Sequence, residues 1–234
     1  MNWPGDIQNG IEADLRRRIC MLELPPGAAL SRAQLMEDYG VSSTPLRDAL
    51  LQLQAEGLVE IHPQSRTMVS LIDLDHARQI HVMRNACEQE AAAVAARLHD
   101  PALPRELSQI IELKGDAARN GDLAAFTRLD HAFHDTIFRH AQLEKVRRVL
   151  RRESGHIDRL RALHLMQPEK TVQIVADHTA VRNAIAAGDE AAARTAIRHH
   201  LSQSILISEK LREARPEYFS HNVQPSDRRP DSAA

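Results

Sequence analysis

The hydrophobic residues of this chain recur with helical spacing along most of its length, and only one short stretch follows the two-residue period of β-strands. The first helical stripe begins after Asp6 and consists of Ile7, Ile11, Leu15, Ile19 and Leu22. Its spacing of three and four residues predicts an amphipathic helix that ends before Pro25.

Residues 30–69 combine two short helical patterns with two strand-like runs. Tyr39-Gly40 separates the two helices, and Ser43-Thr44-Pro45 opens the second one. The predicted buried face of that second helix consists of Leu46, Ala49, Leu50 and Leu53. Residues 57–61 and 67–69 then alternate like two strands around a turn. Two helices and a hairpin are the parts of a winged helix-turn-helix.

The segments GVSSTPLRDAL, EGLVEI and PQSRTMV resemble the winged-helix signature of GntR-type bacterial transcription regulators. This resemblance implies a DNA-binding domain at residues 1–70. The chain departs from the usual pattern at three positions. Ser43 stands where arginine is common, Arg66 stands where glycine is common at the wing tip, and Arg32 stands where many relatives have glutamate. Sequence preference on DNA therefore does not transfer from the family.

We expect Arg47 to make the main base contact from the second helix of the motif. The start of that helix would hold DNA phosphates through its backbone amides and through Ser42, Ser43 and Thr44. The predicted DNA-binding set is completed by Arg32, Gln64 and Arg66. The alternative for the serine and threonine residues is an ordinary helix cap followed by proline.

Almost everything after residue 70 has a helical pattern, with helices predicted at 73–99, 103–119, 122–140, 143–166, 169–187 and 189–213. The short separators between them predict antiparallel neighbours. The fold class is thus mostly α, with a winged helix-turn-helix at 1–70 and an all-α antiparallel bundle at 71–213. Residues 214–234 are rich in proline, serine and charge without periodicity, so we expect a disordered tail.

Composition changes this picture only slightly. Hydrophobic residues make up 43% of the 234 residues and aromatic residues only 3%, which favours helices packed through aliphatic side chains. Residues 1–70 contain six arginines, no lysine and nine carboxylates. The prediction of DNA binding therefore depends on where Arg32, Arg47 and Arg66 lie, not on net charge.

Cys20 and Cys87 belong to no CxxC pair, which predicts buried free thiols in a reducing cytosol. The sequence begins without a signal peptide, and no run approaches the roughly 18 apolar residues of a membrane span. We therefore expect a cytoplasmic protein with no membrane partner.

Polar residues interrupt the apolar stripes of three bundle helices. Asp130 and His134 are four residues apart and share one helix face, while His178 and His200 lie on the inward stripes of two later helices. Burying each of these groups without a partner would cost about 1–3 kcal/mol. A divalent transition metal (Zn, Ni, Fe or Mn) would be a shared partner for imidazole and carboxylate ligands. The alternative is a set of hydrogen-bonded core histidines.

The segments LDHAFH and DHTAVRNAIAAGDEAAARTAIRHHL resemble the C-terminal ligand-sensing domain of the FadR-like, or FCD, branch of GntR regulators. That resemblance implies a helical bundle that commonly holds a metal through one aspartate and three histidines and binds small carboxylates. The matching positions are Asp130, His134, His178 and His200.

Arg84 lies on the inward face of the first bundle helix, and its spacing from Glu88 is similar to that of the family. A buried guanidinium is suited to bidentate capture of a carboxylate, and an ordinary ion pair between Arg84 and Glu88 is the alternative. His156 and Arg159 are further candidates for contacts to an organic acid effector.

Together these features predict a homodimeric, ligand-responsive repressor that binds a palindromic operator and responds to a small organic acid. A metal-dependent enzyme acting on a small carboxylate is the alternative from another class, with Glu88 as its general base. No HExxH motif supports that enzyme. A bundle in which the metal is purely structural is a third interpretation.

Overall fold

The computed structural model describes residues 4–62 and 66–220, which form a winged helix-turn-helix followed by a helical bundle. The N-terminal domain contains α1 Pro4–Cys20, α2 Arg32–Tyr39, α3 Ser43–Ala55, β1 Val59–His62 and β2 Arg66–Val69. The two strands are antiparallel, with Val59 opposite Val69 and His62 opposite Arg66. These elements confirm the predicted winged helix.

Local sequence explains the turn between α2 and α3. The Ser31 hydroxyl accepts a hydrogen bond from the Gln34 amide and begins α2. Gly40 ends α2 at a φ of 63°, a left-handed conformation that glycine adopts without strain. Helix α3 then buries the predicted face, since Leu46, Ala49, Leu50 and Leu53 are each at most 1% exposed. Around them α1 contributes Leu15 and Ile19, so one small core supports the whole domain.

The second domain contains α4 Leu74–Leu98, α5 Ala102–Arg119, α6 Leu123–His140, α7 Glu144–Glu153, α8 Gly155–Leu165, α9 Pro168–Ala186, α10 Glu190–Leu206 and α11 Ser208–Ala214. Helix α4 packs against α6, α8, α9 and α10. Its alanines allow this close packing and lie in one core with Phe133, Ile137 and Val181. The predicted all-α bundle is confirmed.

Two predicted helices are each divided in the structure. The predicted helix 143–166 is broken at Ser154 into α7 and α8, and the predicted helix 189–213 is broken at Ile207 into α10 and α11. At the first break α8 comes close to the winged helix, because a β-carbon added at Gly155 would lie 2.5 Å from Leu58 Cδ2. Periodicity along the chain did not reveal these breaks, since the apolar spacing continues across both of them.

The ends of two predicted segments also differ. Helix α1 ends at Cys20, and Leu22 has a φ of 60° instead of continuing the helix. Residues 214–220, part of the predicted disordered tail, include a 3-10 turn at Pro216–Tyr218 and the buried side chain of Phe219. The Ile72 amide donates to the Tyr218 carbonyl at 2.8 Å and thus ties this segment to the linker between the domains. The rest of the predicted tail, 221–234, lies outside the described residues.

The two cysteines are free, with Cys20 buried and Cys87 half-buried. Burial raises the pKa of the Cys20 thiol to about 11. Across the described ranges, no helix is both long enough and apolar enough to cross a membrane.

Candidate functional site

Four polar side chains meet at the centre of the bundle. Helix α6 supplies Asp130 and His134, α9 supplies His178, and α10 supplies His200. One ligand atom from each of them lies within 4.8 Å of all the others, and all four residues are buried. The structure thus brings together the four predicted metal ligands, which we call the Asp-His cluster.

The imidazole nitrogens of this cluster face one another. His200 Nε2 lies 3.2 Å from His178 Nε2 and 3.3 Å from His134 Nε2. Burial lowers the pKa of His200 to about 4 and also holds the pKa of His134 and of His178 below its usual range. All three rings are therefore neutral at pH 7, the form in which imidazole binds metals.

The spacing and the surroundings of these rings fit a transition metal. A zinc ion bound tetrahedrally at about 2.0–2.1 Å from each nitrogen would separate the nitrogens by about 3.3 Å. Glu88 Oε2 lies 2.6 Å from His134 Nδ1, and Asp177 Oδ2 lies 3.6 Å from His200 Nδ1. The Glu88 carboxylate behind His134 favours a proton on Nδ1 and leaves Nε2 free to bind a metal, whereas 3.6 Å is too long for a hydrogen bond between Asp177 and His200.

Lys114 is a neighbour of the cluster that sequence analysis missed. Its side chain is fully buried, and its Nζ lies 2.5 Å from Asp130 Oδ1 and 3.2 Å from His178 Nδ1. Burial lowers the pKa of Lys114 to about 8, although Asp130 opposes this shift. The sequence indicated its burial through helical spacing, because Lys114 lies on the apolar stripe of α5, seven residues after the buried Leu107 and three before Ala117.

Arg161 binds the other oxygen of the same carboxylate, since its Nη2 contacts Asp130 Oδ2. Burial alone would raise the pKa of Asp130, but Arg161 and Lys114 hold it well below the usual range. Asp130 is therefore ionised and paired with two cations. A bound metal ion would share this carboxylate with both of them.

Arg84 forms the ion pair that was one of its two predicted roles. Its Nε and Nη2 donate to Glu88 Oε1 at 2.9 and 2.8 Å, and both side chains are buried. Arg84 also lines a cavity of about 20 Å³ with Arg161 and His200. A space of that size holds about one water molecule. A carboxylate effector would therefore require this cavity to widen.

His156 and Arg159, the other two predicted effector contacts, do not line that small cavity. His156 Nδ1 accepts a hydrogen bond from the Asp73 amide at 2.9 Å. Arg159 Nη1 donates to the Ser70 carbonyl at 2.6 Å, and its Nη2 donates to the Ser70 hydroxyl at 3.2 Å. Burial lowers the pKa of His156 to about 2, which keeps the ring a neutral acceptor. Both residues instead bind the linker that follows the wing.

Four of the predicted DNA-binding residues lie together on the surface of the winged helix. Arg32, Ser43, Thr44 and Arg47 line one surface concavity of about 300 Å³. The Arg47 side chain is 65% exposed, and its polar contact within residues 4–62 and 66–220 is a 3.4 Å one to Asp48.

The remaining predicted contacts lie at the helix start and at the wing. Ser42 precedes α3 without a side-chain capping bond, so its hydroxyl is available to a phosphate. Arg32 Nε donates to Thr67 Oγ1 at 3.1 Å, which links α2 to the wing. Arg66 is exposed at the start of β2, and Gln64 lies outside the described residues.

Both domains of the molecule match known protein families. Residues 7–69 match the gntR family of bacterial regulatory proteins, and residues 79–203 match the FCD domain. The chain belongs to the GntR family of bacterial regulators and carries an FCD domain. It is a transcription regulator, which confirms the predicted class over the alternative of an enzyme.

Relatives of this GntR regulator align along most of its length. An uncharacterized HTH-type transcriptional regulator in an unstable DNA locus of Streptomyces ambofaciens is 35% identical over 88% of this chain and 86% of its own. The HTH-type transcriptional repressor RspR of Escherichia coli K12 is 28% identical over 93% and 94% of the two chains.

The fold is also similar to that of a solved structure, E. coli McbR/YncC, with a TM-score of 0.77 at 21% identity. That comparison covers 87% of this chain and 97% of the other. DNA binding through the winged helix and a small-molecule effector for the FCD domain follow from the family.

Proposed function

We propose that this GntR regulator is a homodimeric repressor whose FCD domain binds a divalent transition metal and a small organic acid. The observation that carries the proposal is the presence of an exposed arginine face on the winged helix together with the buried Asp-His cluster in the bundle. Two copies would each insert α3 into a major groove and read the two halves of a palindromic operator.

In this proposal Arg47 reads bases from α3, while Ser42, Ser43 and Thr44 hold phosphates at the start of the helix. Arg32, Gln64 and Arg66 would contribute contacts from α2 and the wing. The 65% exposure of the Arg47 side chain, with a weak contact to Asp48, supports this assignment.

Asp130, His134, His178 and His200 would hold the metal ion, which would be Zn, Ni, Fe or Mn. Such an ion, when bound, adds positive charge that attracts a carboxylate. Arg84 and Arg161, which line the small cavity beside His200, would then orient the carboxylate. Without the acid, Glu88 holds Arg84 in place through its hydrogen bonds. Binding of the acid would require the cavity to widen.

Ligand binding can change operator affinity only if the acid binds the DNA-competent and incompetent arrangements with different affinity. The linker contacts of His156 and Arg159 support a route for this coupling, because they join α8 to the end of the wing. Relief of repression by the acid is the proposed direction, and the name of the similar repressor RspR supports it.

The test is an anisotropy titration of the full chain on the DNA upstream of its gene, with excess nonspecific competitor and a stated salt concentration. We expect saturable binding that survives the competitor and weakens when an organic acid is added. The same titration with a chelator separates the sensory metal from a structural one. If chelation lowers the melting temperature but no carboxylate changes operator affinity, the metal is structural and the effector part of the proposal is wrong.

A further inference from the structure

A cavity of about 530 Å³ lies between the DNA-binding domain and the FCD domain. Helix α1 and Glu56 form one wall, and α6, α7 and α8 form the other. Seven arginines and four carboxylates line this interdomain cavity, and two of the arginines pair with carboxylates outside it. It is separate from the small cavity beside Arg84, although Arg161 lines both.

The arginines of the interdomain cavity fall into a fixed group and a free group. Arg16 Nε lies 3.0 Å from Glu56 Oε2, its Nη2 lies 3.6 Å from Asp158 Oδ2, and Arg161 pairs with Asp130. Arg17 and Arg151 are also fixed by ion pairs, to Asp14 and Glu23 and to Asp135 respectively. The free group consists of three exposed arginines that form no ion pair within residues 4–62 and 66–220: Arg128, Arg148 and Arg152. Glu12 also lines the cavity and offsets part of their charge, and Arg152 interacts electrostatically with Glu56. The remaining like charges repel each other, and an anion would relieve that repulsion.

The position of the cavity argues against DNA as this anion. Ser43 and Arg47, at the beginning of α3, belong to the DNA-binding concavity. Glu56 directly follows the last residue of the same helix. Thirteen residues of α-helix extend about 20 Å, so Glu56 and the cavity lie at the end of α3 opposite the predicted DNA contacts.

The cavity also has apolar walls and a suitable size. Ala13, Met21, Ala162 and Leu165 lie among the arginines. Pockets for small organic ligands enclose roughly 300–1,000 Å³ and combine apolar walls with a few polar anchors. We propose that this interdomain cavity is a second ligand site, which binds an organic anion with more than one acidic oxygen and an apolar body.

A ligand in this site would join the two domains. Arg16 belongs to α1 of the DNA-binding domain, whereas Arg148 and Arg152 belong to α7 of the FCD domain. An anion that contacts arginines of both domains would stabilise the domain arrangement seen here. It would thereby disfavour any arrangement in which α1 moves away from the FCD domain. This inference does not require the proposed metal, although Asp130 of the Asp-His cluster also lines the cavity.

The test is calorimetric titration of the full chain without DNA and in the presence of EDTA. The probes are isophthalate as an aromatic dicarboxylate, phenyl phosphate as a phosphate ester, and benzamide as an uncharged control. We expect one or both anions to bind and benzamide not to bind. The relative affinity of the two anions then assigns the acidic group that the site prefers.

Variants locate that binding. The double variant Arg148→Gln, Arg152→Gln should weaken anion binding at least about tenfold, because two of the free cations are lost. Its matched control, Arg105→Gln with Arg198→Gln, removes the same charge from exposed arginines that form no ion pair in the described parts of the chain and do not line the cavity. This control should bind the anion with unchanged affinity.

A third variant, Arg16→Gln, tests the contribution of α1 and should also weaken binding, with circular dichroism used to verify folding. The proposal is overturned if neither anion binds, if benzamide binds equally well, or if both double variants lose the same affinity. Loss in the α7 variant with full binding in a folded Arg16→Gln protein would overturn the bridging of the two domains.

Discussion

On the DNA-binding face Arg47 exposes 65% of its side chain and contacts one neighbouring carboxylate, whereas His178 is fully buried and contacts Lys114, Asp130 and His200. Since most of the Arg47 side chain is exposed, a substitution there should affect binding to DNA more than folding. His178, in contrast, belongs to a buried polar network in which each group is stabilised by its neighbours. Substitution should therefore change recognition at Arg47 and both metal affinity and stability at the Asp-His cluster.

The largest expected effect is on metal binding. His178→Gln should raise the dissociation constant for Zn²⁺ at least about 100-fold, because even the partners behind a metal ligand typically contribute 10–100-fold. Competition with a fluorescent zinc chelator measures this change. The same substitution at His140, which contacts Asp100 and Glu106 outside the cluster, is the control. Wild-type zinc affinity in His178→Gln would contradict the assignment of the cluster as the metal site.

At the DNA-binding face, Arg47→Ala should weaken specific operator binding by about 1–3 kcal/mol and leave the melting temperature unchanged. Anisotropy on operator and on competitor DNA separates specific from nonspecific binding. Gln54→Ala, on an exposed position of the same helix, is the control and should leave operator binding unchanged. If Arg47→Ala keeps full specific affinity, α3 does not read bases through this residue.

A smaller effect of opposite sign is expected at Lys114. Lys114→Met removes a buried cation beside Asp130, so the affinity for Zn²⁺ should rise by about tenfold. The exposed Lys145 offers the same substitution away from the cluster. Unchanged or weaker zinc binding in Lys114→Met would show that the ammonium supports the site instead of competing with a metal for Asp130.

The smallest expected effect is the response of the metal-free protein to acid. In the unfolded chain these histidines bind protons below about pH 6.5, whereas burial lowers the pKa of His200 to about 4 and holds that of His178 below its usual range. The unfolded state therefore binds more protons, and stability present above pH 6.5 is lost as the pH falls toward 4.

Thermal unfolding in EDTA at pH 7 and at pH 5 measures this loss, which we expect to be a few degrees. His62 is the histidine of the described winged helix and is exposed, so the FCD domain should carry the acid sensitivity. Hydrogen exchange that shows equal loss of protection in α3 and in α9 would contradict that distinction.

Much of this molecule was predictable from local pattern. The winged helix followed from residues 30–69, because the buried face of α3, the glycine at its turn and the alternation of the strands are properties of neighbours in sequence. The positions of Asp130, His134, His178 and His200 on inward stripes also followed from helical spacing.

Tertiary packing decided what surrounds those stripes. Lys114 and Arg161 meet at Asp130 because α5, α6 and α8 pack together, and no spacing along the chain records that meeting. Likewise, His156 and Arg159 bind the linker because the helix breaks at Ser154 and brings α8 against the winged helix. Local sequence determines which face of a helix is buried, whereas the partners of a buried charge depend on which helices lie beside it.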